Sequence, residues 1–310
     1  MAMLLARPTC AALAAGRGEV RHVAPRRAVV VRYRKDASGK NEGGNVVVYT
    51  ASDPLGGLCP GSQAVIMALL EKRLPFSEVK VDLGAKPADF VELYHSVIPD
   101  VDVRERVPVL VNGSDILVDG PTIVEYLAAA YPDSGTPLTP PDAYTAARVR
   151  LFSSYFADHV IPAASHLLKA SDPAAVQDAR EALLRALAAV DAFLGLHGAG
   201  WGDAALGPHW GWSMSSAGDD QGSRGEAEHY LMGPFYTTAD LLASPHIARM
   251  VDALPEVRGL DVLAECEARK LSRVAGWMRA CLARPSAQLV SPKREELAAG
   301  HAAWEWSHAM

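Results

Sequence analysis

Cys59-Pro60-Gly61-Ser62 stands directly ahead of Ala64-Val65-Ile66-Met67-Ala68-Leu69-Leu70, a run of strong helix formers closed by Glu71-Lys72-Arg73. Pro60 suits a first helical turn, where its missing N–H costs no hydrogen bond. Lys72 and Arg73 are expected in the last turn, where cations suit the helix dipole. Cys59 is therefore expected at or just before a helix N-terminus. Unpaired backbone N–H groups and the positive dipole end favour a thiolate there, and a thiolate is the reactive nucleophile. The alternative is a cysteine that serves as a small buried hydrophobe. Ser62 in place of a second cysteine means that no disulfide can close within the turn, so this motif supports a monothiol route alone.

The elements that must position this turn read clearly. Val46-Val47-Val48-Tyr49 is a β-branched run suited to a buried strand, and the loop Thr50 to Leu58 joins it to Cys59. Val79 to Asp82 reads as a second strand and Pro87 to Tyr94 as a short helix. Arg106 to Val111 is a third strand with Pro108 near its start, and Ile116-Leu117-Val118 a fourth, joined through the turn Asn112-Gly113. Asp119-Gly120-Pro121-Thr122 opens a helix over Ile123 to Tyr131. The order βαβα–ββα with a proline entering the third strand is a thioredoxin-like topology, in which a cis Val107–Pro108 bond is expected. After a Pro-rich connector over 132–141 the pattern turns helical, over Ala143 to Lys169 and Pro173 to Leu196. Thr237 with Asp240 forms a capping box ahead of a further helix. Its expected role is structural.

Composition narrows the class. The chain has 310 residues, 49% hydrophobic and 21% charged, which is a globular balance and excludes disorder throughout. No apolar run reaches the roughly 18 residues of a membrane span. The four cysteines are too scattered for a disulfide framework or a zinc site, and no metal is predicted. A net charge of −6 argues against nucleic acid as a partner. That charge is uneven. Residues 1–35 carry eight basic residues and one acid, which leaves −13 for the remainder against −6 overall. An opening rich in Ala and Arg and poor in acids has the composition of an organellar transit peptide, the alternative being a basic tail that binds something acidic. Residues 1–44 are read as transit peptide and linker. Residues 198–229 hold eight Gly and three of the six Trp. They read as a lineage-specific, mostly disordered insertion, with an aromatic lid or partner loop as the alternative. His197, His209 and His229 match no ligand spacing. Ser96 to Glu105 is a second irregular insertion.

The motifs Cys59-Pro60-Gly61-Ser62, Val107-Pro108-Val109-Leu110 and Asp119-Gly120-x-x-Ile123 resemble the glutathione-binding domain of glutathione S-transferases. More narrowly they resemble the cysteine-type classes, and among these the plant dehydroascorbate reductases. Ala51-Ser52-Asp53 ahead of Leu55-Gly56, Leu70-Glu71-Lys72 ahead of Leu74-Pro75-Phe76, and Lys86-Pro87 ahead of Phe90 continue the likeness. It covers residues 45–132 well. It returns in patches at Gly233 to Asp240, at Trp277, Leu282 and Arg284-Pro285-Ser286, and in the tail from Lys293 to Glu296 with Gly300 and Trp304.

The resemblance implies a thioredoxin-like domain over 45–132 followed by an all-helical glutathione transferase C-terminal domain over 142–310. It implies glutathione as co-substrate and Cys59 as nucleophile. Pro60 and Ser62 would lie beside the bound tripeptide, and the Val107 backbone next to Pro108 would pair with its cysteinyl amide as an added strand. Asp119 would accept the γ-glutamyl ammonium, and Gly120 would offer its N–H to the γ-glutamyl carboxylate. The family usually has Ser at position 120, so one hydroxyl donor is missing. Gly61 replaces a usual aromatic, a change expected to be tolerated on an exposed side of the turn. Asp53 matches a residue that orients the second substrate. The implied activity is reduction of dehydroascorbate to ascorbate by two glutathiones. An omega- or lambda-like thiol transferase and a non-catalytic binding protein on the same scaffold are the alternatives. The family also points to a chloroplast over a mitochondrion and to a monomer over a dimer, while the lack of a long apolar run predicts no stable membrane insertion.

Overall fold

The computed structural model describes residues 46–52, 59–198 and 230–297. The transit-peptide reading of 1–44, Asp53, His197 (as a side chain), His209, His229, most of the 198–229 insertion and the end of the tail lie outside the described residues.

Strand β1 (Val46–Ala51), helix α1 (Pro60–Glu71), β2 (Phe76–Val81), α2 (Ala88–His95), β3 (Val109–Asn112), β4 (Asp115–Val118) and α3 (Gly120–Ala130) build the first half. The sheet order is β2-β1-β3-β4, with β1 parallel to β2 and the other pairs antiparallel. Alternation along the strands sorts side chains between two layers. Val46 and Val48 of β1 and Leu110 of β3 pack with Val65 and Leu69 of α1 and with Ile123 and Leu127 of α3. Tyr49 and Val109 face the other way, onto Phe90 and Tyr94 of α2. The expected thioredoxin-like arrangement is present.

Two local expectations are corrected. Helix α1 stops at Glu71, so Lys72 and Arg73 lie past its last turn. Lys72 is the C-cap and fully buried, and Arg73 takes a left-handed φ of 53° that ends the helix. The third strand begins at Val109 and not at Arg106, because Pro108 has no N–H for a ladder; the expected cis Val107–Pro108 bond is present. The stretch 143–169 is helical throughout, as expected. Helix α4 (Ala143–Tyr155) passes through a π-helical turn (Phe156–Val160) into α5 (Ile161–Lys169).

The helical half continues with α6 (Pro173–Gly198), α7 (Thr238–Arg258), α8 (Val262–Ala268), α9 (Ser272–Ala283) and α10 (Pro285–Val290). Among the described residues no helix is long and apolar enough to cross a membrane. Its core stacks Phe152 and Phe156 edge-on against the fully buried Trp277. The capping box at Thr237 is present and does more than cap. The buried Asp240 carboxylate accepts from the Thr237 N–H at 2.8 Å, the Thr237 hydroxyl at 2.7 Å, the Leu231 N–H at 2.8 Å and the Trp277 indole at 2.8 Å. It ties the chain entering α7 to α9. The Thr238 N–H donates to Leu138 O at 2.9 Å, which fastens the start of α7 to the connector between the halves.

Candidate functional site

The local rules that start α1 and α3 bring their N-termini together beside the cis bond. Cys59 is the N-cap of α1, in extended conformation, with Pro60 at the first helical position. Its side chain is 6% exposed, and the thiol donates to Val107 O at 3.9 Å. Asp119 caps α3 with φ of 75°, a left-handed conformation that a short polar side chain tolerates. One carboxylate oxygen accepts from the Thr122 N–H at 3.1 Å and the Thr122 hydroxyl at 2.8 Å. Backbone N–H groups at both helix starts and a carboxylate thus lie around one cavity, a constellation able to hold a zwitterionic peptide next to a thiol.

That cavity encloses about 600 Å³, within the usual range for small-molecule sites. Cys59, Pro60, Val107, Pro108, Asp119 and Gly120 all border it, so six of the eight expected residues converge. Ser62 does not. It is 1% exposed, packed inside the first turn of α1, and its hydroxyl meets no partner among the described residues. Its expected contact with the ligand is corrected accordingly.

Gly61 is also corrected. A Cβ there would meet Pro108 Cδ at 3.3 Å and Gly120 Cα at 4.0 Å, so the position faces the site floor and not solvent. The complementary observation is sharper. A Cβ on Gly120 would lie 3.0 Å from Gly61 Cα and 3.2 Å from Gly61 O, which is backbone. The two departures from the family pattern are thus one feature, a close approach of the two helix starts. Gly120→Ser should therefore cost about 1–2 kcal/mol of stability by overpacking, read as a lowered melting temperature; an unchanged melting temperature would contradict it.

Several residues at the cavity were not found from sequence. Ile98 and Val103, inside the 96–105 insertion, line its wall. The insertion is braced at Glu105, which accepts from Lys86 Nζ at 2.8 Å and from His95 Nε2 at 2.9 Å, while His95 Nδ1 donates to Ile98 O at 2.9 Å. The Lys86 ammonium, then a backbone hydrogen bond and His95, bring the Glu105 carboxyl down to about 2. The Ile98 carbonyl and then Glu105 raise the His95 imidazole above its ordinary 6.5.

Linkage follows from those directions. Glu105 contributes fully above its ordinary 4.5 and is lost as pH falls toward about 2. His95 contributes fully below 6.5 and is lost as pH rises through its raised value. Amide protection at Ile98 and Val103, corrected for intrinsic exchange, should therefore be greater near about pH 6 than near about pH 8, and Glu105→Gln should reduce the difference. Equal protection at both pH values in the wild type would refute the brace.

Helix α7 supplies His246, Arg249 and Met250 to the cavity, although it begins 179 positions after Cys59. Burial lowers the His246 imidazole to about 3, with Arg249 adding to it, so this ring is neutral at neutral pH. Burial lowers the Arg249 guanidinium to about 10 while Cys59 opposes the shift, so it stays a cation. No sequence signal marks either residue, since nothing local distinguishes them from other positions of a helix. Arg106, exposed at the rim, completes the charged groups named at the site. Cys266 and Cys281 are 0% exposed in the helical core. Burial pushes the Cys266 thiol up to about 11 and the Cys281 thiol well above its usual value, which leaves both inert.

Comparison with known proteins agrees with this geometry. Residues 57–135 match the glutathione S-transferase N-terminal domain family. The chain is 29% identical to glutathione S-transferase U2 of Arabidopsis thaliana over 130 residues, which are 41% of this chain and 54% of that protein. It thus spans about half the length of the first curated relatives it matches. It is 25% identical to a probable cytosolic glutathione S-transferase DHAR1 of Oryza sativa subsp. japonica, over 79% of this chain and 90% of that one. The solved structure of Chlamydomonas reinhardtii dehydroascorbate reductase superposes with a TM-score of 0.54 at 21% identity, covering 86% of this chain and 99% of that one. Residues 57–135 thus carry a glutathione S-transferase N-terminal domain, and the described residues take the glutathione S-transferase fold.

Proposed function

We propose that the protein is a glutathione-dependent dehydroascorbate reductase with Cys59 as its sole redox thiol. The observation that carries the reading is the position of Cys59, an N-cap thiol on a cavity that Val107, Asp119 and Gly120 also border, with the thiol against Val107 O. The Val107 backbone pairs with the glutathione cysteinyl amide, Asp119 accepts the γ-glutamyl ammonium, and the Gly120 N–H meets its carboxylate. The first wall of the cavity is then the glutathione side, and the wall from α5 and α7 receives the second substrate.

The chemistry balances with this one thiol. The Cys59 thiolate adds to a carbonyl carbon of dehydroascorbate. Water then attacks the sulfur, the S–C electron pair returns to carbon, and ascorbate leaves as its monoanion with Cys59 as sulfenic acid. One glutathione condenses with the sulfenic acid, releasing water and forming a mixed disulfide. A second glutathione attacks that disulfide, so glutathione disulfide leaves and the thiolate returns. Two glutathiones are oxidised by two electrons in total, and one dehydroascorbate is reduced by the same two.

A second reading has its own observation. Phe156, Ile161, Leu168 and Met250 make the second wall largely apolar, which suits a glutathione adduct of an apolar compound better than a polar lactone. A thiol transferase would use the same Cys59 to take glutathione from such an adduct. Parallel assays of the full chain with dehydroascorbate and with a glutathione mixed disulfide separate them. Turnover of dehydroascorbate supports the reductase; turnover of the mixed disulfide alone assigns the transferase; silence in both refutes catalysis. The same reading carries residues 1–44 as a transit peptide and linker for the chloroplast, domains at 45–132 and 142–310, and a monomer.

A further inference from the structure

The cavity beside Cys59 holds a fixed positive charge that belongs to the other half of the chain. Arg249 is 2% exposed and borders the cavity. Its Nη1 donates to Gln63 Oε1 at 2.8 Å and to Pro245 O at 2.6 Å. Gln63 lies one turn beyond Cys59 in α1. Its N–H donates to Cys59 O at 3.0 Å, and its Nε2 donates to Val290 O at 2.9 Å. The guanidinium is therefore held to the same turn that carries the sulfur. Phe156, Ile161, Leu168 and Met250 line the same cavity, and Arg249 is buried, a setting in which a charge acts more strongly than in solvent.

We propose that Arg249 is the specificity-determining residue of the second-substrate end, where it receives the negative charge that leaves Cys59 with the reduced product. The enzyme thereby selects neutral acceptors that depart as anions. This rests on the reductase reading. In that reaction one negative charge starts on the sulfur, passes to the adduct oxygen and departs on ascorbate, while the bound acceptor itself is neutral. A cation fixed beside the sulfur acts on charge that develops during reaction, and so raises kcat more than it tightens binding.

The test compares wild type, Arg249→Met and Arg249→Lys as full chains, with dehydroascorbate kinetics, the rate of Cys59 alkylation by uncharged iodoacetamide, and thermal melts. Removing one donor to a developing anion lowers kcat about 10²-fold, so Arg249→Met is expected to lose about that much. KM for dehydroascorbate should change by less than about 3-fold, because a neutral ground state gains little from the cation. Arg249→Lys should stay within about 10-fold of wild type, since the charge persists without the planar fork. Alkylation of Cys59 should fall in Arg249→Met, because the cation also favours the thiolate, but by much less than kcat, and should stay near wild type in Arg249→Lys. An equal fall in alkylation and kcat would overturn the proposal, because Arg249 would then act through the sulfur. Equal impairment of the Met and Lys variants with lowered melting temperatures would overturn it in favour of a packing role. Wild-type turnover with an unaffected Met variant removes this proposal alone, whereas wild type without dehydroascorbate turnover removes the reductase reading and this proposal together.

Discussion

Replacing Cys59 by serine is expected to abolish glutathione-dependent reduction, by roughly 10³-fold or more, as losses of a sole nucleophile do. The expectation is large because Cys266 and Cys281 are buried in the helical core, with burial raising both thiols, and neither borders the cavity. A serine hydroxyl is not ionised near neutral pH and cannot form a mixed disulfide, so no alternative route survives among the described cysteines. The same change should leave stability nearly intact. Serine is a good N-cap, and its hydroxyl can donate to Val107 O as the thiol does. Turnover measured beside a thermal melt therefore separates chemistry from folding. Residual turnover above about a tenth of wild type would sink the monothiol mechanism.

The largest structural effect is expected at Glu71, which joins the two halves of the chain. It is 7% exposed at the end of α1, and its carboxylate accepts from Arg284 Nε at 2.9 Å, Arg284 Nη2 at 2.7 Å, Ser286 Oγ at 2.5 Å and Thr136 Oγ1 at 2.5 Å. Its backbone carbonyl accepts from the Thr136 N–H at 2.8 Å. Arg284 in turn lies over the Tyr236 ring at 4.6 Å. Burial pushes the Glu71 carboxyl up, but the bidentate Arg284 and the two hydroxyls outweigh it and hold the group below its usual 4.5.

Breaking one side of such a pair leaves a largely buried charge uncompensated, which costs about 3–5 kcal/mol. Glu71→Gln and Arg284→Met should each destabilise by about that amount, while the double variant should be far less than additive. Chemical denaturation of the four proteins measures the cycle. Costs below about 1 kcal/mol for both single variants would show that the pair is not a joint between the halves. The pH dependence has a definite sign. A carboxyl lowered by folding stabilises above 4.5 and loses that contribution as pH falls through its folded value, so the joint should weaken in acid.

Much of the fold follows from local rules that the sequence displays. The β-branched run at 46–49, the Asn112-Gly113 turn and the Pro60 helix start each act within a few residues, and each element lies where those rules place it. The core of the site was legible for the same reason. Cys59 and Asp119 are N-caps, and capping depends on the residue and the turn that follows it. Two misreadings, Lys72 and Arg73 in a helical last turn and a strand from Arg106, concern element ends, where propensity is weakest.

What only the tertiary structure decided lies between elements distant in the chain. Gly61 and Gly120 read separately as a tolerated loss of an aromatic and a missing hydroxyl, and their meeting at the site floor makes them one packing feature. Arg284 and Ser286 stand in the sequence only as a patch of the family likeness, and across the interface they become the partners of Glu71. Arg249 carries no local mark at all. Its place beside Cys59 comes from the packing of α7 on α1, set by burial of apolar area, a non-directional force that no short motif records.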